Sequence, residues 1–154
     1  MNNSNSGKVL SGSSDHELVR VTELEFCWGD KTVLDEISFK ITSGQIVAIL
    51  GKNGAGKTTL IKCLNRVQSP QNGKVEICSN DISKQSLIEL SKSVSYVPQS
   101  VRTSFPMDVF DVLLLGRRPH ISWRTSPEDL EAVSETLRKF GLEDLAFRRF
   151  DRLS

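Results

Sequence analysis

The chain has 154 residues, 38% of them apolar, which is enough for one domain with a sizeable core. Twenty Lys and Arg against nineteen Asp and Glu leave a net charge of +1, so no overall field draws it to nucleic acid or an anionic membrane. No apolar run nears the ~20 residues that span a bilayer, and the N-terminus lacks the apolar centre of a secretory signal.

The three cysteines, Cys27, Cys63 and Cys78, show no C-x-x-C spacing and no clustered histidines. They read as unpaired, buried thiols in a reducing cytosol, not as a metal site.

Residues 1–17 are rich in Ser, Asn and Gly and read as a disordered tail. From Val19 the pattern is that of a strand. Val19 and Val21 alternate, then the phase slips and Leu24, Phe26 and Trp28 alternate, which predicts a bulge near Thr22 and Glu23. Gly29 and Asp30 break the run, and Ile37, Phe39 and Ile41 then alternate up to Ser43-Gly44, so two antiparallel strands are expected. Trp28 closes the first strand, either as a packing aromatic or as a face on which a base stacks.

Ile46, Val47, Ala48, Ile49 and Leu50 form an unbroken apolar run, the pattern of a strand buried on both faces. Gly51-Lys52-Asn53-Gly54-Ala55-Gly56-Lys57-Thr58 follows and fits G-x-x-x-x-G-K-[ST], a phosphate-binding loop. Beyond it Leu60, Cys63, Leu64 and Val67 fall on one side of a helix. Glycines let such a loop curl so that several N–H groups converge, and the helix adds its positive end. Lys57 then reaches the β- and γ-phosphates, the Thr58 hydroxyl is placed for Mg²⁺, and Thr59 is a further donor.

Residues 69–73 carry a strong turn signal, and Val75 and Ile77 alternate as a short strand. Leu87, Ile88 and Leu90 suggest a short helix, and Val94-Ser95-Tyr96-Val97 a further strand stopped by Pro98, with Gln99 at its carboxyl end. Val109, Val112, Leu113 and Gly116 mark a helix that ends before Pro119. Ser126 and Pro127 open another, with Leu130, Val133, Leu137 and Phe140 as its apolar face and Gly141 as its stop. Glu143 to Arg149 suggests one more short helix. The pairs Arg117-Arg118 and Arg148-Arg149 read as solvated, and His120 as a loop residue.

Taken in order, Trp28-Gly29, the loop 51–58, Tyr96-Val97-Pro98-Gln99, a helical insert and a final Leu153-Ser154 resemble the N-terminal part of an ABC transporter ATPase subunit. The last pair matches the start of that family's LSGGQ signature. Leu114-Leu115-Gly116-Arg117-Arg118-Pro119-His120 and the Ser/Trp segment after it are similar to the ATPases of iron-siderophore, haem and cobalamin importers. Asn80 departs from the Gly that many relatives place after the short strand.

The resemblance implies an α/β fold: a P-loop NTPase core with an antiparallel β subdomain and the start of an α-helical subdomain, truncated before the Walker B strand. It groups residues 18–104 as the nucleotide-binding core and 105–154 as the helical subdomain. It implies that ATP and Mg²⁺ bind, with Trp28 on adenine and Gly51, Asn53, Gly54, Ala55, Gly56, Lys57, Thr58 and Thr59 around the triphosphate. Thr58 and Gln99 would meet Mg²⁺, and Gln99 the attacking water. A transmembrane permease would dock from Val101 to Arg118, two ATPase subunits would pair, and the protein would lie peripherally on the cytoplasmic face of the membrane. Full-length relatives hydrolyse ATP. The Walker B strand, the Glu that polarises water and the switch His have no counterpart in these residues, so a nucleotide-binding module without turnover, or a non-transport ABC ATPase, is the alternative. The apolar run 46–50 would also lack the ladder partner that relatives supply, which predicts poor solubility of the chain alone.

Overall fold

A computed structural model describes residues 16–99, 106–121 and 123–153. Most of the expected tail, residues 101–105 of the expected docking segment, and Ser154 of the signature lie outside them. The described residues fall into two compact units, one up to Gln85 and one from Ser86 onward.

The first unit is built on an antiparallel sheet of order β2-β1-β3-β4. Its strands are β1 (Glu17–Trp28), β2 (Lys31–Thr42), β3 (Asn72–Ile77) and β4 (Asn80–Asp81). The predicted bulge is present. The register of β1 against β2 shifts between Val21 and Leu24, Glu23 takes φ 46°, and its N–H donates to Ser38 Oγ at 2.8 Å. Gly73, at φ +85°, lies so close that a Cβ there would sit 2.3 Å from the Glu23 carbonyl oxygen. The slip keeps the inward faces in step: Val21, Leu24, Phe26, Leu34, Val75 and Ile77 are all buried, Leu24 completely. Left-handed backbone between β3 and β4 falls on Cys78 (φ 48°) and Ser79 (φ 65°), a two-residue hairpin turn, and Asn80 itself is in β4.

Helix α1 (Lys57–Leu64) covers this sheet with Leu60 and Cys63. It stops sooner than its apolar spacing suggests. Arg66 adopts φ 57°, Val67 N–H turns back to the Lys62 carbonyl at 2.9 Å, and Val67 is left exposed beyond the end. Of the three cysteines only Cys63 is buried, which pushes its thiol pKa up; Cys27 is half-buried and Cys78 exposed.

Two expected strands are not there. Residues 45–52 and 94–98 belong to no strand; Ile46 is fully exposed, and Leu50 and Val97 are 89% and 88% exposed. An apolar strand of this kind is stabilised only by a neighbour on each side and cover on both faces. Among the described residues the one sheet is the antiparallel one, and it offers neither.

The second unit holds α2 (Leu87–Ser93), α3 (Val109–Gly116) and α4 (Pro127–Phe140). Ser86 and Glu89 form a reciprocal capping box at the start of α2. Ser126 and Asp129 do the same for α4, with Pro127 in its first turn and Gly141 at φ 63° after its end. Val109, Val133, Leu137 and Ala146 form the core between α3 and α4. The inward stripe of α4 runs through Asp129, Val133 and Leu137, while Leu130 and Phe140 are exposed. Asp129 can occupy that stripe because Arg117 meets it with Nε at 3.2 Å and Nη2 at 3.0 Å, so Arg117 is an internal partner and not a solvated charge. The expected last helix shrinks to short 3₁₀ turns at Glu143–Leu145 and Phe150–Arg152.

Candidate nucleotide-binding site

The phosphate loop is curled. A turn at Asn53 and Gly54 brings Ala55 N–H to the Lys52 carbonyl at 3.2 Å, and a Cβ at Gly51 would lie 3.5 Å from that of Ala55. Gly54 and Gly56 take φ 79° and 86°, a region that other residues enter only at a cost. Lys57 locks the curl from inside, its ammonium donating to the carbonyls of Gly51 at 2.8 Å and Lys52 at 2.7 Å. An ammonium has three donors, so these two bonds hold the charge at the loop's centre and leave one N–H for an anion.

Gly56 also fixes where the loop sits. A Cβ there would be 2.9 Å from the Val33 carbonyl oxygen and 3.1 Å from Leu34 Cδ2, so the start of α1 rests directly on β2. No acidic residue occupies the first turn of α1, and its first N–H groups have no intrahelical acceptor. The helix therefore presents an unneutralised positive end where the loop delivers its amides. Thr58 is exposed in that turn and Thr59 half-buried.

Trp28 belongs to the same unit, 54% exposed at the tip of the β1–β2 hairpin, opposite Lys31. Its ring meets the buried Phe26 edge-on, with centroids 5.1 Å apart and planes at 75°. One side of the indole is thus braced while much of it stays open to solvent. Gln99 lies in the second unit, exposed at the end of the extended segment that follows α2.

The donor set suits a triphosphate: main-chain amides of a curled loop, the ammonium groups of Lys52 and Lys57, the hydroxyls of Thr58 and Thr59, and no carboxylate in residues 51–59. It suits Mg²⁺ as well. That ion keeps several waters and takes phosphate oxygens, and the exposed Thr58 hydroxyl is an oxygen of the kind that can join them. Among the described residues no cluster of three His, Cys, Asp or Glu side chains offers a separate metal cage.

The profile of the family described as "ABC transporter" matches residues 34–154. The chain belongs to the ABC transporter family. An ABC transporter ATP-binding protein of Methanocaldococcus jannaschii is 42% identical over 137 residues, covering 89% of this chain and 54% of that protein. A hemin import ATP-binding protein of Thermobifida fusca is 35% identical over 147 residues, covering 96% and 51% respectively. Among solved structures, a metal-chelate type ABC transporter in an inward-facing conformation aligns with TM-score 0.71 and 30% identity, over 90% of this chain and 51% of that one. A nucleotide-free ATP-binding cassette aligns with TM-score 0.73 and 25% identity, over 90% and 59%. The chain thus spans about half the length of the relatives it matches.

Sequence reasoning missed Gln71, Val33 and the Arg117–Asp129 pair. Gln71 reads only as part of a turn, and nothing in the pattern says that its side chain pairs with β1. Ser126 and Pro127 announced the helix start, but nothing in the pattern says that the Asp129 carboxylate takes an arginine from the end of α3.

Proposed function

We propose that the chain is the nucleotide-binding portion of an ATP-binding subunit in an ABC importer for an iron chelate, haem or cobalamin. The observation that carries the nucleotide reading is the closed loop itself, with Lys57 held on Gly51 and Lys52 in the same unit as an open indole face. In this reading the amides of residues 53–59 and the Lys57 ammonium bind the triphosphate, the Thr58 hydroxyl holds Mg²⁺, and Trp28 stacks on adenine. Bound Mg²⁺ would neutralise charge on the phosphate oxygens. Gln99 would orient water and meet Mg²⁺, and the stretch 101–118 would receive a membrane-embedded partner. Two such subunits would pair on the cytoplasmic face of the membrane. Among the described residues no helix is long and apolar enough to cross a membrane.

The cargo class rests on the names of relatives, which include a hemin importer of Thermobifida fusca and a siderophore transport protein of Bacillus subtilis. The loop accounts for binding; turnover needs in addition a residue that positions the attacking water. Two measurements test the proposal. Lys57→Ala should abolish binding of ATP and of inorganic triphosphate, and in the intact transporter it should abolish ATP-dependent uptake. Uptake that survives the substitution excludes the coupling role, and binding that survives it excludes the loop.

A further inference from the structure

The ladder between β1 and β3 ends at Glu25 opposite Asn72, yet β1 continues to Trp28 with only β2 beside it. Cys27 would therefore leave an N–H and a carbonyl unpaired on its open side, one residue from the hairpin tip. Gln71 fills that place. Its main-chain N–H donates to the Glu25 carbonyl at 3.0 Å. Its side-chain Oε1 accepts from Cys27 N–H at 2.9 Å, and its Nε2 donates to the Cys27 carbonyl at 3.2 Å. A primary amide carries the same donor and acceptor as a peptide, so this side chain imitates one more ladder residue. Asn72 braces the same edge, donating from Nδ2 to Glu25 Oε2 at 2.7 Å. The carbonyl that Gln71 holds belongs to the peptide bond that carries Trp28.

We infer that Gln71 is a positioning residue for the nucleobase. By clamping the peptide between Cys27 and Trp28 it sets the angle at which the indole meets a purine ring, with Phe26 fixing the indole from its other side. It contributes to the affinity for the base without touching the nucleotide. The inference rests on the reading of Trp28 as the base platform.

In the full chain carrying Trp123→Phe, Trp28 is the sole indole. In that background Gln71→Met keeps the bulk of the side chain and removes both of its bonds. It should weaken ATP binding by about three- to tenfold, the size expected for lost neutral hydrogen bonds. Binding of inorganic triphosphate should be unchanged and the fluorescence anisotropy of Trp28 should fall. Added to Trp28→Ala, Gln71→Met should have no further effect on ATP, because it acts through that ring. A loss shared equally by ATP and triphosphate overturns the inference, since Gln71 would then support the loop. So does an unchanged ATP affinity in Gln71→Met when Trp28→Ala weakens it. If Trp28→Ala leaves ATP affinity intact, the base-platform reading falls and takes the inference with it.

Discussion

Gly54 and Gly56 occupy the same loop for different reasons, and alanine at each separates the two. Both have left-handed backbone, at φ +79° and +86°, so either substitution carries a conformational cost of about 1–2 kcal/mol. Around Gly54 a new Cβ meets nothing within 4 Å. Around Gly56 it lies 2.9 Å from the Val33 carbonyl oxygen, 3.0 Å from Val33 Cγ1 and 3.1 Å from Leu34 Cδ2. Val33 is the unpaired residue at the register shift between the pairs Cys27–Thr32 and Phe26–Leu34, and the oxygen it presents is main chain, so relief comes only by distorting the strand or by moving the start of α1. Crowding of this kind adds about 1–3 kcal/mol, giving roughly 2–5 kcal/mol for Gly56→Ala against 1–2 for Gly54→Ala. Because Lys57 is the next residue, a displaced α1 also pulls its ammonium off Gly51 and Lys52. Affinity for a fluorescent ATP analogue should therefore fall at least tenfold further for Gly56→Ala than for Gly54→Ala, with a lower urea midpoint to match. Equal losses, or a larger loss at Gly54, would show that the loop does not lean on β2.

Other substitutions probe the two cores and the bare segments. Leu24→Ala removes a side chain with 0% exposure beside the bulge and should lower stability by about 3–5 kcal/mol in urea titration. Asp129 is held below the ordinary aspartate range by the Ser126 N–H first, and also by the guanidinium of Arg117 and the Ser126 hydroxyl. A depressed carboxyl stabilises the fold above its unfolded pKa, and that contribution is lost as pH falls through the folded one. The melting temperatures of wild type and Asp129→Asn should accordingly differ near neutrality and converge only below about pH 4. The exposed apolar stretches should drive self-association of the 154-residue chain, so Ile46→Lys with Val97→Lys should reduce light scattering at equal concentration.

Features written in a few adjacent residues were legible in advance. The phase slip after Val21 announced the bulge, Ser126-Pro127 and Gly141 bracketed α4, and the spacing of three glycines and a lysine announced a curled loop. Each is announced by residue types close together in sequence, even where a distant contact completes it. Features that depend on a distant partner were illegible. Gln71 pairs with a residue forty-four positions away, and its role follows from where β3 happens to end. Arg117 looked solvated because its acid lies twelve residues on, across a turn and on another helix. Leu130 and Phe140 were assigned to a buried face by periodicity alone, whereas the stripe actually chosen passes through the arginine-paired Asp129.

The apolar runs at 46–50 and 94–97 sharpen the same point in the opposite direction. Their composition states a demand for strand neighbours and cover on both faces, and the described residues do not meet it. The phosphate loop nevertheless keeps its curl directly after the first of these runs. Its shape is secured from the other side, by Gly56 against Val33 and by the Lys57 ammonium on two carbonyls of the loop. The loop shape on which the proposed phosphate binding rests thus depends on the loop, α1 and the antiparallel sheet taken together. Double substitution of Ile46 and Val97 should leave triphosphate affinity within about twofold, while Gly56→Ala lowers it although no apolar strand has been touched.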